Sequence, residues 1–134
     1  MKKALALSLI FVLLTAGLVQ ATQVKLINDP SVPGATGTVN VNKDRNGNYR
    51  VRVDVRHLAK PTELTPPRQV YLVWVQSGDN APEVLGQLRV NENLQGSLEG
   101  TTPHDKFELF ITAEDNPNTT SPSEPRLLRA TVAP

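Results

Sequence analysis

The sequence predicts an all-β fold, an antiparallel β-sandwich of about seven or eight short strands. Eleven prolines and eight glycines are spread along the 134 residues, which fits many turns between short strands. Beyond the N-terminal segment, no stretch keeps the 3.6-residue apolar spacing of an amphipathic helix. The near-continuous apolar run at 70–76 has the length of one strand. We therefore expect two packed sheets.

The run at 70–76 is the strand around which the rest of the chain is organised, and it carries the sole tryptophan. Apolar residues occupy both of its faces, so most of both faces is expected to be covered. Because side chains alternate along a strand, Tyr71 and Trp74 point to opposite sides. At least one of them is therefore expected to be partly exposed or covered by a loop.

Alternating apolar residues between turn signals predict the other strands. Asn46-Gly47 is the strongest hairpin signal, and it precedes a segment in which tyrosine and valines alternate with charged residues. Residues 57–69 contain three prolines, so we expect a long connection that crosses between sheets. The predicted strands are 22–28, 36–42, 49–56, 70–76, 84–90, a weak one at 94–98, 107–112 and 128–132. Their number and spacing predict an immunoglobulin-like sandwich.

Residues 1–21 have the pattern of a signal peptide. Lys2 and Lys3 precede an uncharged, leucine-rich stretch, and Val19-Gln20-Ala21 offers small residues at the cleavage positions. We expect cleavage after Ala21, which leaves one domain at 22–134, with no stable membrane span, in the periplasm or outside the cell. The alternative is that the segment is retained as a membrane anchor.

The charge balance gives no reason to expect nucleic acid or an anionic membrane as a partner. The full chain has 14 basic and 13 acidic side chains, and removal of residues 1–21 takes away two lysines. The remaining formal charge is −1, which provides no attraction for a polyanion. Cysteine is absent, so the core must stabilise the domain without disulfides.

Two patterns resemble metal sites, and both are better explained without a metal. Residues 42–47 match the first half of a calcium loop of the EF-hand type, but Val53 occupies the position of the essential glutamate. A hairpin turn explains the same residues. His57 and His104 lack the spacing of zinc or copper ligands and are interpreted as surface residues. No metal or other cofactor is expected.

The sequence contains no motif that marks a catalytic site, and we expect a protein that is not an enzyme. The carboxylate pair Glu114-Asp115 lies beside a proline-rich loop and is interpreted as solvated loop charge. No nucleophile elbow of the Gly-x-Ser-x-Gly type is present. One alternative is a secreted hydrolase whose residues, around His57, His104 or Glu114, meet only in space.

Two features are candidates for binding a partner. Arg50, Arg52 and Arg56 alternate along one strand and are expected to share an outward face, where they suit an acidic or anionic partner. The proline-rich loops 57–69 and 115–125 are candidates for contact with a protein in the envelope or outside the cell, since binding loops project from rigid scaffolds. Another alternative is a structural envelope subunit that adds a strand to the open edge of a neighbour.

The order of these landmarks resembles the extracytoplasmic domain of anti-sigma-K-type factors. The likeness runs through the segments 35–39, 53–58, 71–75, 85–88 and 107–114 and covers roughly residues 24–132. It implies a β-sandwich outside the cytoplasmic membrane, and it carries over no catalytic or ligand-binding residue. The cysteines of that family's zinc-binding cytoplasmic domain are absent, so the likeness concerns the outer domain alone. We expect an exported, non-enzymatic module that binds or senses a partner.

Overall fold

The computed structural model describes residues 21–133 and confirms the β-sandwich. The predicted signal peptide lies almost wholly outside these residues. No helix within 21–133 has the length and apolar character needed to cross a membrane. A 3-10 turn at Pro61–Glu63 is the one helical element that the structure assigns within this range. The strands are β1 (Thr22–Lys25), β2 (Ile27–Asn28), β3 (Thr36–Lys43), β4 (Tyr49–Arg56), β5 (Val70–Gln76), β6 (Glu83–Leu88), β7 (Gly96–Thr102), β8 (Phe107–Glu114) and β9 (Leu128–Val132).

The strands form two antiparallel sheets. One has the order β1-β3-β4-β7 and the other has the order β2-β9-β8-β5-β6. Nine strands are present within 21–133 instead of seven or eight, because the first predicted strand divides at Leu26. Its first half pairs with β3 in the four-stranded sheet, and its second half pairs with β9 in the five-stranded sheet. The buried side chain of Leu26 lies at the point where the chain changes sheet.

The predicted hairpin is confirmed between β3 and β4, whose ladder closes with Lys43 opposite Tyr49. Asp44 organises the turn, since its Oδ1 accepts hydrogen bonds from the backbone N–H groups of Asn46 at 2.8 Å and Asn48 at 3.0 Å. Gly47 adopts φ 81°, which glycine tolerates without steric cost. The residues that resemble a calcium loop therefore form a hairpin turn.

The core lies between the two sheets and is built from the alternating positions that the sequence identifies. The four-stranded sheet contributes fully buried valines from β3 and β4, and the facing sheet contributes residues of β5, β8 and β9. On β5, Tyr71 and Val73 point into this core. The other large, fully buried side chains of this core are Leu58, Leu88, Leu109, Ile111, Leu128, Val39, Val41 and Val51. Burial of this apolar surface is the main stabilising contribution to the fold.

Trp74 points away from the core, on the opposite face of β5 from Tyr71, as predicted. With Leu72 and Phe110 it forms a second, smaller apolar cluster on the outer face of the five-stranded sheet. The rings of Trp74 and Phe110 stack with centroids 6.2 Å apart. Both residues are fully buried, because the segment between β8 and β9 is anchored over this face. This cluster explains why Phe110 interrupts the otherwise polar alternation of its strand.

The predicted crossing between the sheets is confirmed for residues 57–69, which connect β4 of one sheet to β5 of the other. After β5, the predicted strand 128–132 is confirmed as β9 and 107–112 lies within β8, whereas β6 and β7 differ from the prediction in their bounds. The weak strand predicted at 94–98 overlaps β7 only from Gly96 onward, and β7 continues to Thr102. Residues 91–95 form a turn instead, because Asn91 Oδ1 accepts hydrogen bonds from the backbone N–H groups of Asn93 and Gln95.

The strands β6 and β7 close one side of the sandwich through reciprocal contacts between leucine and glycine. A Cβ atom on Gly100 would lie 2.6 Å from Leu85 Cδ1, and a Cβ atom on Gly86 would lie 2.9 Å from Leu98 Cδ1. Each leucine therefore packs on a strand position that has no room for a side chain. This explains why β7 lacks the regular apolar alternation from which strands are predicted.

Candidate functional site

The three predicted partner-binding arginines lie together on the outer face of the four-stranded sheet, as their spacing predicts. Arg50, Arg52 and Arg56 are all exposed on β4. The cross-strand register places Asn42, Asn40 and Thr36 of β3 beside them. We call this surface the arginine face.

Two of the three arginines are engaged by carboxylates within the face. Arg50 Nε lies 3.3 Å from Glu99 Oε1, and Arg52 Nε lies 3.1 Å from Asp54 Oδ2. Burial raises the pKa of Asp54, but hydrogen bonds from Ser97 and Arg52 outweigh this effect and hold the pKa below its ordinary value. Arg56 has no ion-pair partner within 21–133 and lies at the end of β4 beside Lys25 and Thr36, which line the same shallow depression. Arg56 is therefore the arginine of this face best placed to bind an anion.

A cleft of about 490 Å³ lies where β4 ends, and the two predicted loops meet there. The connection 57–69 forms one wall, and the end of the loop 115–125 forms another. A third wall comes from residues 31–34, between β2 and β3, which the sequence had not suggested. We call this the loop cleft. Its lining residues are Ser31, Val32, Pro33, Gly34, His57, Ala59, Glu63, Leu64, Thr65, Pro66, Arg68, Ala113, Glu124, Pro125 and Leu127.

Contacts between the two proline-rich loops fix their relative position. Arg68 Nη1 donates a hydrogen bond to Asp115 Oδ2 at 2.9 Å, and the N–H of Gln69 donates to the carbonyl oxygen of Glu114 at 3.0 Å. Pro61 accepts a backbone hydrogen bond from Arg68 at 2.9 Å, which closes the 57–69 connection on itself. These hydrogen bonds hold two of the three cleft walls together.

Glu114 anchors the second loop from inside the protein, and the prediction of a solvated carboxylate is wrong for this residue. Its side chain is 3% exposed. Glu114 Oε2 accepts hydrogen bonds from Thr112 Oγ1 and from the backbone N–H of Ser123, and Oε1 accepts one from Ser123 Oγ at 2.6 Å. Thr112 Oγ1 in turn accepts a hydrogen bond from the indole N–H of Trp74 at 2.8 Å. Asp115, by contrast, is exposed as predicted.

A second anchor holds the same loop close to where it joins β9. The guanidinium of Arg126 lies 3.9 Å from the centroid of the Phe110 ring and pairs with Glu108 at 3.0 Å. The backbone N–H of Leu127 donates to Ile111 at 2.8 Å. The cation–π contact and the ion pair together hold the Arg126 side chain over Phe110 of the outer apolar cluster. Glu124 and Pro125 are therefore presented to the cleft from a fixed backbone.

Tyr71 anchors the first loop from the core side. Its hydroxyl donates a hydrogen bond to the carbonyl oxygen of Ala59 at 2.6 Å. Burial raises the pKa of this hydroxyl strongly, and the negative charge of Glu63 raises it further. The phenol therefore stays protonated and keeps donating at neutral pH.

The two histidines lie at opposite ends of the four-stranded sheet. His57 follows the last residue of β4 and is exposed in the loop cleft, with φ 56°. At the other end of the sheet, Thr102 pairs with Tyr49, the first residue of β4. His104 lies two residues beyond Thr102, and its Nε2 is 3.6 Å from Glu83 Oε1. Residues 21–133 contain no group of three or more His, Cys, Asp or Glu side chains arranged to hold a metal ion. Although His57 and Glu114 share one end of the sandwich, the oxygens of Glu114 are occupied by loop hydrogen bonds.

The sequence contained one signal for the Glu114 anchor. Thr112 and Glu114 have the same parity as Phe110, which places all three on one face of β8, next to Trp74 in the register. Nothing local in the sequence indicated the third wall at 31–34, because its position depends on the pairing of β2 with β9.

No protein-family model matches this chain, and no match to a curated protein was found.

Proposed function

We propose that this chain is an exported, non-enzymatic β-sandwich module that binds or senses a partner protein in the cell envelope or outside the cell through its loop cleft. The observation that carries the proposal is the meeting of loops 57–69 and 115–125 in one cleft with anchored walls. Preformed concave surfaces at the end of a rigid scaffold are typical binding sites. The resemblance to the outer domain of anti-sigma-K-type factors supports a sensing role.

The arrangement of titratable residues favours binding over hydrolysis. A hydrolase that uses a side-chain nucleophile activated by histidine needs the nucleophile, the base and the orienting group within hydrogen-bond reach of one another. The two histidines are separated by the length of β4, and the carboxylate of Glu114 accepts hydrogen bonds from Ser123 and Thr112.

The arginine face provides a second surface for an anionic partner, with Arg56 as its unpaired member within the described residues.

The test is affinity capture from the cell envelope and the medium with the full chain, carrying its own N-terminal segment and a C-terminal tag. Gly34→Trp adds a bulky side chain at a lining position of the cleft where a Cβ atom meets nothing within 4 Å. Arg45→Trp is the matched control, since Arg45 is exposed in the β3–β4 turn at the other end of the sheet.

We expect Gly34→Trp to abolish capture of the partner and Arg45→Trp to leave it unchanged. A third variant, Arg56→Ser, tests the arginine face. Capture that survives Gly34→Trp and fails with Arg56→Ser would move the binding site to the arginine face. Melting temperatures of all three variants should match that of the unmodified protein, so that loss of capture is not loss of folding.

A further inference from the structure

The loop cleft carries two uncompensated negative charges. Glu63 lies in the 57–69 wall and Glu124 in the wall formed by the loop 115–125, and both are exposed. Neither has an ion-pair partner within residues 21–133. Arg68 and His57 also line the cleft. Arg68 pairs with Asp115 at 2.9 Å, and neither basic side chain forms an ion pair with Glu63 or Glu124 within residues 21–133.

Apolar side chains form much of the lining of the cleft, together with Ser31, His57 and Thr65. Val32 and Leu127 are buried at its base, Leu64 is half-buried, and Pro66 and Pro125 are exposed in the walls. A ligand that fits this surface needs an aliphatic stem and a positive end. Lysine and arginine side chains have this construction, because their methylene groups pack on apolar surface while the charged end stays with polar groups.

Both glutamates are presented by backbone that is already fixed. The N–H of Glu63 donates to the carbonyl of Lys60 at 2.9 Å, and Ala59 is held by the Tyr71 hydroxyl. Glu124 is flanked by Ser123, bound to Glu114, and by Arg126, bound to Glu108. A partner therefore does not have to order these loops, and this preorganisation favours binding.

Resting on the function proposed above, we infer that the loop cleft accepts an extended segment of the partner protein with a lysine or arginine whose cation lies between Glu63 and Glu124, flanked by aliphatic or proline residues. The volume of 490 Å³ accommodates a few side chains of such a segment. The charge of the cleft disfavours an acidic segment, because two like charges would face each other across apolar walls.

The test uses three acetylated, amidated peptides of sequence Pro-Val-X-Val-Pro, with X lysine, norleucine or glutamate. Each is titrated into the isotope-labelled exported protein, and backbone amide shifts are followed by NMR. The lysine peptide should shift the amides of Gly34, Leu64 and Ala113 and leave that of Gly47, in the distant hairpin, unchanged. The norleucine peptide should bind about tenfold more weakly, and the glutamate peptide more weakly still.

The double variant Glu63→Gln/Glu124→Gln should reduce binding of the lysine peptide to the level of norleucine. Glu99→Gln, a matched change on the arginine face, should have no effect. Equal binding of lysine and norleucine, an unchanged affinity in the double variant, or no shifts at the cleft would each overturn the inference. The peptide titrations test the preference of the cleft for a cation. Failure of the proposed function is decided separately, by whether the Gly34→Trp variant still captures the partner protein.

Discussion

Replacement of Glu114 is the perturbation most informative about how the loop cleft is built. Its carboxylate accepts three hydrogen bonds, two from Ser123 and one from Thr112, at a position that is 3% exposed. Glu114→Ala removes the acceptor for all three donors. Each hydrogen bond to a charged, poorly solvated group contributes about 1.5–3 kcal/mol, and a buried donor left unpaired costs about 1–3 kcal/mol.

These contributions overlap, so we expect Glu114→Ala to lower the free energy of unfolding by about 3–5 kcal/mol out of a total of about 5–15 kcal/mol. Glu114→Gln should cost less, about 1–2 kcal/mol. The amide oxygen can take the place of Oε2, and the NH₂ group can donate to the Ser123 hydroxyl oxygen, so the loss is confined to the acceptor of the Ser123 hydroxyl proton. We therefore expect Glu114→Ala to lower the free energy of unfolding more than Glu114→Gln does.

Urea unfolding followed by the fluorescence of Trp74, the sole tryptophan, measures both variants. Acrylamide quenching in the folded state adds a second readout, because loss of the loop anchor should make the buried indole accessible. Asp115→Asn is the matched control; this neighbouring carboxylate forms an exposed ion pair, which contributes about 0–1 kcal/mol. If Glu114→Ala cost no more than Asp115→Asn, the anchoring role would be refuted.

Three further outcomes follow from the structure. Gly100→Ala should destabilise the domain by about 1–3 kcal/mol in urea unfolding, because its Cβ would lie 2.6 Å from Leu85, whereas Gly34→Ala, which meets nothing, should be neutral within error. The lowered pKa of Asp54 stabilises the folded state while the carboxyl is ionised, and this contribution is lost as the pH falls through the folded-state pKa. The difference in unfolding free energy between the unmodified protein and Asp54→Asn should therefore shrink from about pH 5 to about pH 2, and a constant difference would contradict it. Tyr71→Phe leaves a carbonyl group of the cleft loop without its donor and should cost about 1–2 kcal/mol, and an unchanged stability would argue against this anchor.

The parts of the fold that were predicted correctly are those where local sequence and tertiary context agree. In β4 the valines alternate with charged residues and the Asn-Gly turn precedes them, so pattern, turn and burial indicate the same strand. The strand β5 was predicted from its apolar run, and its burial on both faces is confirmed. By contrast, β7 was predicted only as a weak strand at 94–98 and its second half was missed, because it packs through Gly100, which carries no hydrophobic signal.

The candidate site was only half predictable for a related reason. The two proline-rich loops were identified from composition, and the structure brings them together. The wall at 31–34 and the burial of Glu114 depend on contacts between residues distant in sequence. The bond between Glu114 and Ser123 spans a loop whose path is set by Arg126 on Phe110, and no local pattern encodes that path.

The central claim is that a partner protein contacts the loop cleft, and site-specific photo-crosslinking tests it most directly. A photoreactive amino acid is placed singly at Ser31 and Thr65, on two walls of the cleft, and at Arg45, in the distant hairpin turn. After irradiation of the host cells, we expect one partner protein to be crosslinked from both cleft positions and to be absent from the Arg45 sample. A partner crosslinked from Arg45 and from neither cleft position would contradict it.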